Sequence, residues 1–135
     1  MTLFNEIFEN HKEYLGLLHR HFLMEHINNG SAGPTPIFSY YKGKLSAMHL
    51  RQYIEVAQNK AELPLSPVEV EAFDLVDSIL NDPEIRLGMM MEPGDIQFCN
   101  NYTISHSRTG FEDYPEPKRK RHLYRLWHKM PNARE

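Results

Sequence analysis

The sequence lacks the features that mark secreted and membrane proteins. Cys99 is the only cysteine, so no disulfide can form within the chain, and a reducing compartment is favoured. No run of apolar residues approaches the roughly 20 that a membrane helix needs. The first six residues have neither the basic start nor the apolar stretch of a secretory signal. We therefore expect a soluble, cytoplasmic protein without a membrane partner.

An excess of positive charge is also missing. The net charge is −3 with histidine neutral, which argues against binding to polyanions by bulk electrostatics. The tract from Lys118 to Lys129 holds six Lys or Arg and no acid, a pattern typical of nucleic-acid patches. Three acidic residues precede it and partly cancel its field: Glu112, Asp113 and Glu116. We expect no nucleic-acid partner; binding that falls steeply with salt would indicate the opposite.

Length and composition indicate one folded unit. The chain has 135 residues, of which 41% are hydrophobic and 24% charged. A domain of this size buries a real core. We interpret residues 1–135 as a single domain.

Helical patterns dominate the first two-thirds of the chain. Apolar spacing predicts a helix over residues 2–27, stopped at Asn28-Asn29-Gly30, with residues 31–36 as a loop. Three histidines of this helix are interpreted as surface positions and not as a metal cluster: His19, His21 and His26. A shorter helix is predicted over residues 50–60. Ser66-Pro67-Val68-Glu69 is a capping box that starts another helix, and Asp82-Pro83 ends it.

Strand patterns follow the helices. A first pair is predicted over residues 37–41 and 45–48, joined by a turn at Lys42-Gly43-Lys44. Four more strands are predicted in the last third of the chain, over residues 85–91, 96–99, 102–106 and 121–127. Met89 to Met91 and Cys99 are expected to be buried in them. Helices followed by antiparallel strands, without βαβ alternation, indicate an α+β fold.

The chemically informative residues lie between Met91 and Trp127. Arg121 and Arg125 share one face if their segment is a strand, because side chains alternate between faces. Two guanidinium forks on one face suit a dicarboxylate, which arginine binds through two parallel hydrogen bonds. His106 ends an earlier predicted strand, and a neutral imidazole is a common ligand of Fe(II) or Zn.

Over these residues the sequence resembles the C-terminal half of the taurine catabolism dioxygenase (TauD/TfdA) family. The shared pattern runs in order through a Pro-Gly-Asp turn, an Asn, a His-x-Arg and an Arg-x-x-x-Arg. Here these elements are Pro93-Gly94-Asp95, Asn101, His106-Ser107-Arg108 and Arg121 to Arg125. The signature residues are confined to the last third of the chain.

The resemblance implies an Fe(II)- and 2-oxoglutarate-dependent oxygenase that hydroxylates a small, anionic substrate. His106 corresponds to the distal histidine of a two-His-one-carboxylate iron site. Arg121 holds the far carboxylate of 2-oxoglutarate, and Arg125 contacts the co-substrate or an anionic group of the substrate. Asn101 and Arg108 line the pocket. The implied fold is the back half of a double-stranded β-helix, or jelly roll, with the N-terminal helices packed outside it.

One part of the family pattern is missing. The other two iron ligands form a His-x-Asp or His-x-Glu, and the only such spacing here, His11-Lys12-Glu13, lies in a helical stretch. We therefore expect a truncated or partial oxygenase with weak iron binding and little or no turnover by itself. The alternative is a catalytically inactive half domain that serves as an interaction module. The expected macromolecular partner is a second copy of the chain or the missing N-terminal half.

Overall fold

The computed structural model describes residues 2–26, 30–128 and 130. In chain order the elements are α1 (Thr2–Asn10), a 3₁₀ turn (Lys12–Tyr14), α2 (Leu15–Leu18), β1 (His21–Glu25), β2 (Ala32–Pro36), β3 (Phe38–Tyr41), β4 (Lys44–Ala47), α3 (Arg51–Lys60), α4 (Pro67–Asn81) and a second 3₁₀ turn (Pro117–Arg119). The strands form two separate antiparallel pairs, β1–β2 and β3–β4. The predicted α+β class is confirmed.

The predicted N-terminal helix is wrong beyond Leu18. The helical part is interrupted at His11, and the chain then enters β1, which places His21 on a strand. The period of the apolar positions changes here from helical to alternating, because Phe22 and Met24 are buried while His21 is exposed. The predicted stop at Asn28-Asn29 lies outside the described residues.

The β1–β2 hairpin replaces a predicted loop. Its register pairs His21 with Pro36 and Glu25 with Ala32. Two prolines in residues 32–36 favour a loop in a local reading of the sequence. Proline is nevertheless tolerated on an edge strand when its nitrogen faces away from the neighbour. The cross-strand pairing, which is not a local property, decides the structure of this segment.

The β3–β4 hairpin confirms its prediction. Lys42 and Gly43 form the two-residue turn, with φ of 48° and 72°. Positive φ at both positions is typical of the turn whose twist matches that of the flanking strands, and glycine adopts it at no steric cost. The register pairs Phe38 with Ala47.

The helices α3 and α4 also follow the sequence pattern. Glu69 accepts hydrogen bonds from the backbone N–H and the hydroxyl of Ser66, each at 2.8 Å. The side chain of Glu69 is further paired with Arg20 at 3.3 Å. The predicted capping box therefore forms, and it also anchors the start of α4 to the segment that precedes β1.

The core lies between α4 and the elements that precede it. Phe73 is fully buried at its centre, with the ring of Phe22 at 5.1 Å and that of His49 at 5.4 Å. The largest fully buried side chains come from α1, α2, β3, α3, α4 and the β2–β3 junction: Phe38, Phe73, Ile7, Leu18, Ile37, Ile54 and Val76. Burial of this apolar face holds the four N-terminal strands and the helices in one unit.

The last third of the chain does not form its predicted strands. Residues 82–128 contain turns and one 3₁₀ turn but no strand, so the predictions over 85–91, 96–99, 102–106 and 121–127 are wrong here. Met89, Met90 and Cys99 are exposed instead of buried. A strand needs a neighbour for its backbone groups and a layer to cover its apolar face. The jelly roll that the resemblance implies stays a prediction, because the described strands form only two separate pairs.

None of the helices among the described residues is long and apolar enough to span a bilayer.

Replacement of Phe73 by alanine tests the position of the core. We expect Phe73→Ala to lower the free energy of unfolding by about 3–5 kcal/mol, because the truncation leaves a cavity between Phe22 and His49. Phe98→Ala is the control, since that ring is exposed, and its effect should stay within about 0.5 kcal/mol. Urea denaturation followed by circular dichroism measures the free energy of unfolding of both variants. Equal losses of stability would contradict the placement of Phe73 at the centre of the core.

Candidate cofactor site in the C-terminal segment

His106 lies in the exposed C-terminal segment, which we define as residues 82–128. A turn precedes it, in which Thr103 and Ile104 donate their backbone N–H groups to the carbonyl of Asn100, both at 3.0 Å. Within the part of the chain that the structure describes, no hydrogen bond or ion pair engages the imidazole of His106. Arg108, two residues on, is exposed as well. The ring is therefore accessible to a ligand and is not held by a neighbour.

Asn101 reaches a shallow cavity against the β3–β4 hairpin. The cavity measures about 170 Å³ and is lined also by Tyr102, Tyr41, Ser46 and Met48. The turn that presents Asn101 is fixed locally, because the side-chain oxygen of Asn100 accepts the N–H of Tyr102 at 3.1 Å. The sequence-based role of Asn101 as a pocket-lining residue stays a prediction.

Arg121 and Arg125 are not on a common strand face, because the strand that would align them does not form. The backbone N–H of Arg121 donates to Asp113 at 3.0 Å, and its guanidinium lies 5.7 Å from the ring centre of Phe111. The guanidinium of Arg125 lies 5.9 Å from Trp127. Among the described residues neither guanidinium is paired with a carboxylate. Both forks thus keep their hydrogen-bond donors available for an anion.

An iron site is not assembled by these side chains. The described residues contain no group of three His, Cys, Asp or Glu placed to hold a metal ion. His11 and Glu13 have the spacing of the family's iron-ligand pair, but they lie on the exposed turn after α1. Their Nδ1 and Oε1 atoms are 4.0 Å apart. A two-His-one-carboxylate centre needs three converging ligands. The described part of this chain offers His106 alone, so it does not fit an iron centre by itself.

A polar cluster that the sequence analysis missed lies between α3 and α4. The Nε2 of His49 is 2.7 Å from Oδ1 of Asp77. Arg51 donates through Nη1 to Asp77 at 2.8 Å and to Asp74 at 2.6 Å, and through Nε to Glu55 at 2.7 Å. These partners, with Glu55 the largest contributor, raise the pKa of Arg51 above its ordinary value. One arginine therefore ties three carboxylates on two helices.

His49 is the buried member of this cluster. Its side chain is 5% exposed, and its Nδ1 is buried without a hydrogen-bond partner among the described residues. Burial lowers the pKa of His49, and the opposing effect of Asp77 is smaller. A neutral ring that donates from Nε2 leaves only a lone pair at Nδ1, which is less costly to bury than an unpaired N–H. The Arg51–Glu55 spacing of four residues was the one local signal of this network.

Comparison with known proteins identifies the class of protein. Residues 8–127 match the model of the taurine catabolism dioxygenase TauD, TfdA family. The match covers most of the chain, including His106, Arg121 and Arg125. The chain belongs to this dioxygenase family.

A particular relative is FR-33289 synthase of Streptomyces rubellomurinus (strain ATCC 31215). The two sequences are 29% identical over an alignment 143 residues long. The alignment covers all of this chain and 42% of the relative. The chain thus spans less than half the length of the curated relative that it matches.

The buried state of His49 predicts how stability depends on pH. The folded protein disfavours the protonated ring, whereas the unfolded chain protonates near the ordinary pKa of 6.5. The unfolded state therefore binds more protons below that value, and the free energy of unfolding should fall as the pH drops below 6.5. Above 6.5 the contribution of His49 is fully present.

His49→Gln is the matched variant, because glutamine can still donate to Asp77 but does not titrate. Urea denaturation at a series of pH values from about 8 to about 5 measures the free energy of unfolding. This free energy should fall less with decreasing pH in the variant than in the wild type. Identical pH profiles for the two proteins would show that the ring of His49 is not held neutral by the fold.

Proposed function

We propose that residues 1–135 are the C-terminal part of an Fe(II)- and 2-oxoglutarate-dependent dioxygenase domain that hydroxylates a small, anionic substrate. The observation that carries the proposal is the family match over residues 8–127, within which His106, Arg121 and Arg125 stand in the family's order. The short span relative to FR-33289 synthase supports the view that this chain corresponds to part of such a domain.

His106 is the proposed iron ligand of this chain. Its ring is exposed and makes no hydrogen bond with a described residue, so either ring nitrogen is accessible to a metal ion. When bound in a complete site, the iron would activate oxygen for attack on the substrate. One imidazole cannot hold Fe(II) tightly, and the described residues supply no second and third ligand beside it. The remaining ligands therefore have to come from outside the described part of the chain.

Arg121 is the proposed partner of the far carboxylate of 2-oxoglutarate, and Arg125 a second contact to the co-substrate or to an anionic substrate. Support comes from their chemistry and accessibility: a guanidinium fork pairs bidentately with a carboxylate, and neither fork has a carboxylate partner among the described residues. Arg108 and Asn101 complete the proposed pocket. Two or more cationic groups near the reacting centre favour an anionic substrate.

A second candidate function is that of a catalytically inactive interaction module. The observation that favours it is the exposed apolar surface of residues 82–128, which a monomeric soluble protein rarely presents. This candidate differs from the first in one measurable property, because it needs no iron and no 2-oxoglutarate.

Cytoplasmic localisation and the absence of a nucleic-acid partner remain parts of this proposal. The single, exposed thiol of Cys99 is compatible with a reducing compartment. In the basic tract, Arg119 lies 3.8 Å from Glu116 and its guanidinium is 3.7 Å from the ring centre of Tyr114. These contacts engage one cation of the tract that a phosphate backbone would otherwise use.

An anaerobic titration with Fe(II) and 2-oxoglutarate tests the proposed function. The chain alone should bind Fe(II) with an affinity weaker than about 1 μM and show no visible charge-transfer band of the chelated complex, because a single imidazole is a weak site. A fusion of this chain to the part of FR-33289 synthase that lies outside the matched region should show the band. His106→Ala and Arg121→Ala should abolish it in that fusion.

His122→Ala and Arg119→Ala are the matched controls, since they remove the same side-chain types from nearby exposed positions. The band should survive both. A fusion that forms no band, or a band that all four variants weaken equally, would reject the dioxygenase assignment. Sub-micromolar affinity of the isolated chain would reject the claim that ligands are missing.

A further inference from the structure

A cavity of about 350 Å³ lies between β1, the connection from α3 to α4 and the first turn of α4. Its volume is within the range of small-molecule sites, which is roughly 300–1,000 Å³. None of the residues that line it belongs to the C-terminal segment, so the cavity is separate from the candidate cofactor site. The ligand that suits it therefore follows from its own side chains.

Three exposed apolar residues line the cavity: Pro34, Leu63 and Pro64. Leu63 is 59% exposed although its side chain is large and apolar. Contact with these residues removes apolar surface from water, which stabilises the complex. This part of the cavity therefore favours a ligand with an apolar side chain.

The residues around the cavity are fixed by hydrogen bonds. The side-chain oxygen of Gln58 accepts the N–H of Leu23 at 3.0 Å, and its amide nitrogen donates to the carbonyl of Leu63 at 2.9 Å. The N–H of Leu63 donates in turn to the carbonyl of Gln58 at 2.9 Å. Glu62, which precedes Leu63, has a φ of 58°, the left-handed conformation in which helices commonly end. The turn after α3 is thus tied to β1, and little ordering is needed when a ligand binds.

Glu69, which also lines the cavity, has one oxygen without a hydrogen bond. Its Oε2 accepts both hydrogen bonds from Ser66, each at 2.8 Å. Its Oε1 accepts none from a described residue and faces Nη1 of Arg20 at 3.3 Å. Charge-assisted hydrogen bonds are shorter, at roughly 2.7–2.9 Å. Because the side chain of Glu69 is only 11% exposed, a donor brought into the cavity by a ligand would stabilise this oxygen.

Arg20 supplies the opposite charge in the cavity. Its side chain is 63% exposed, and the contact with Glu69 is its only ion pair among the described residues. A guanidinium carries five N–H donors and pairs with a carboxylate through two parallel hydrogen bonds, so Arg20 keeps donors for an anionic group. The two charged side chains stand side by side. The carboxylate and the ammonium group of an α-amino acid do the same, since both are attached to one carbon atom.

A ligand with a single charge suits this pair less well than a ligand with both charges. A carboxylate alone is attracted by Arg20 and repelled by Glu69, and an ammonium group alone meets the reverse. A neutral ligand leaves both side chains without a charged partner. A zwitterion offers each of them an opposite charge, which makes the strong kind of hydrogen bond at both ends.

We propose that this cavity binds a zwitterionic α-amino acid with an apolar side chain. The carboxylate pairs with the guanidinium of Arg20, and the ammonium group donates to Oε1 of Glu69. The side chain of the ligand packs on Pro34, Leu63 and Pro64. Binding needs neither iron nor 2-oxoglutarate, so the proposal does not depend on the dioxygenase assignment.

A titration of the isotope-labelled chain with L-leucine, followed by nuclear magnetic resonance, tests the proposal. The backbone amide signals of residues 20–23 and 63 should shift and saturate, with a Kd of about 1 mM or tighter. Urea denaturation gives a second readout. The free energy of unfolding should rise with the leucine concentration, because only the folded chain carries the cavity.

Analogues of leucine separate the contributions of its three parts. Isocaproate lacks the ammonium group, isoamylamine lacks the carboxylate, and free glycine lacks the apolar side chain. Each should bind about tenfold more weakly than leucine or worse, because each loses a charge-assisted hydrogen bond or the apolar contact.

Arg20→Gln and Glu69→Gln should each weaken leucine binding about tenfold or more. Arg20 is exposed, and glutamine serves in a capping box as glutamate does, so both variants should fold. Leu63→Ser, at an exposed position, tests the apolar contact in the same way. Arg86→Gln and Glu84→Gln are the matched controls, since they make the same changes at exposed positions outside the cavity. Their Kd should equal that of the wild type.

The proposal is overturned if leucine causes no saturable shift up to about tenfold the expected Kd, or if the shifts lie away from the residues that line the cavity. Isocaproate, isoamylamine or glycine that binds as tightly as leucine overturns the assignment of the ligand class. Equal weakening by the matched controls overturns the roles of Arg20 and Glu69.

Discussion

A helix satisfies its backbone hydrogen bonds within its own sequence, whereas a strand depends on a neighbour, and this constraint governs the whole structure. Helices α3 and α4 form where the apolar spacing and the Ser66–Glu69 cap place them, because every requirement is local. The hairpins form because each strand has a partner close in sequence and a core to cover one face. Residues 82–128 have β-type sequence patterns but no paired strand among the described residues, and most of their side chains are exposed.

The same constraint explains which elements could be predicted from the sequence. Lys42-Gly43 between two aromatic and β-branched stretches specifies a hairpin by turn chemistry alone, and that hairpin is present. Residues 21–25 and 32–36 carry no comparable turn signal, and the helical spacing before them extends far enough to suggest continuation. Their pairing depends on the burial of Phe22 and Met24 against α4 and its neighbours, which no local pattern expresses. Family resemblance predicts the candidate site only as a set of residues, and these residues do not converge among the described part of the chain, because the strands that would align them do not form there.

The network around His49 could not be anticipated for a different reason. Its members come from the loop before α3, from α3 itself and from α4, and only Arg51 and Glu55 are related by helical spacing. Arg51 is drawn towards three carboxylates, and His49 packs its ring edge against Phe73. His49 therefore links the carboxylate of Asp77 on α4 to the ring of Phe73 in the core. Because His49 follows β4 closely in sequence, this contact holds the end of β4 near the helices. The network thus ties the end of the β3–β4 hairpin to α4 and to the core.

The uneven closure of the sheet edges has a consequence for stoichiometry. A protein with two extendable edges can be joined head to tail without limit, which is how open filaments arise. In the described part of this chain, Pro34 and Pro36 leave the outer edge of β2 without donors, and the side chain of Gln58 accepts the outward N–H of Leu23 in β1. The ring of His19 donates to the outward carbonyl of Phe38 in β3. Three of the four outer edges are thereby restricted, which disfavours open filaments and favours small, finite assemblies.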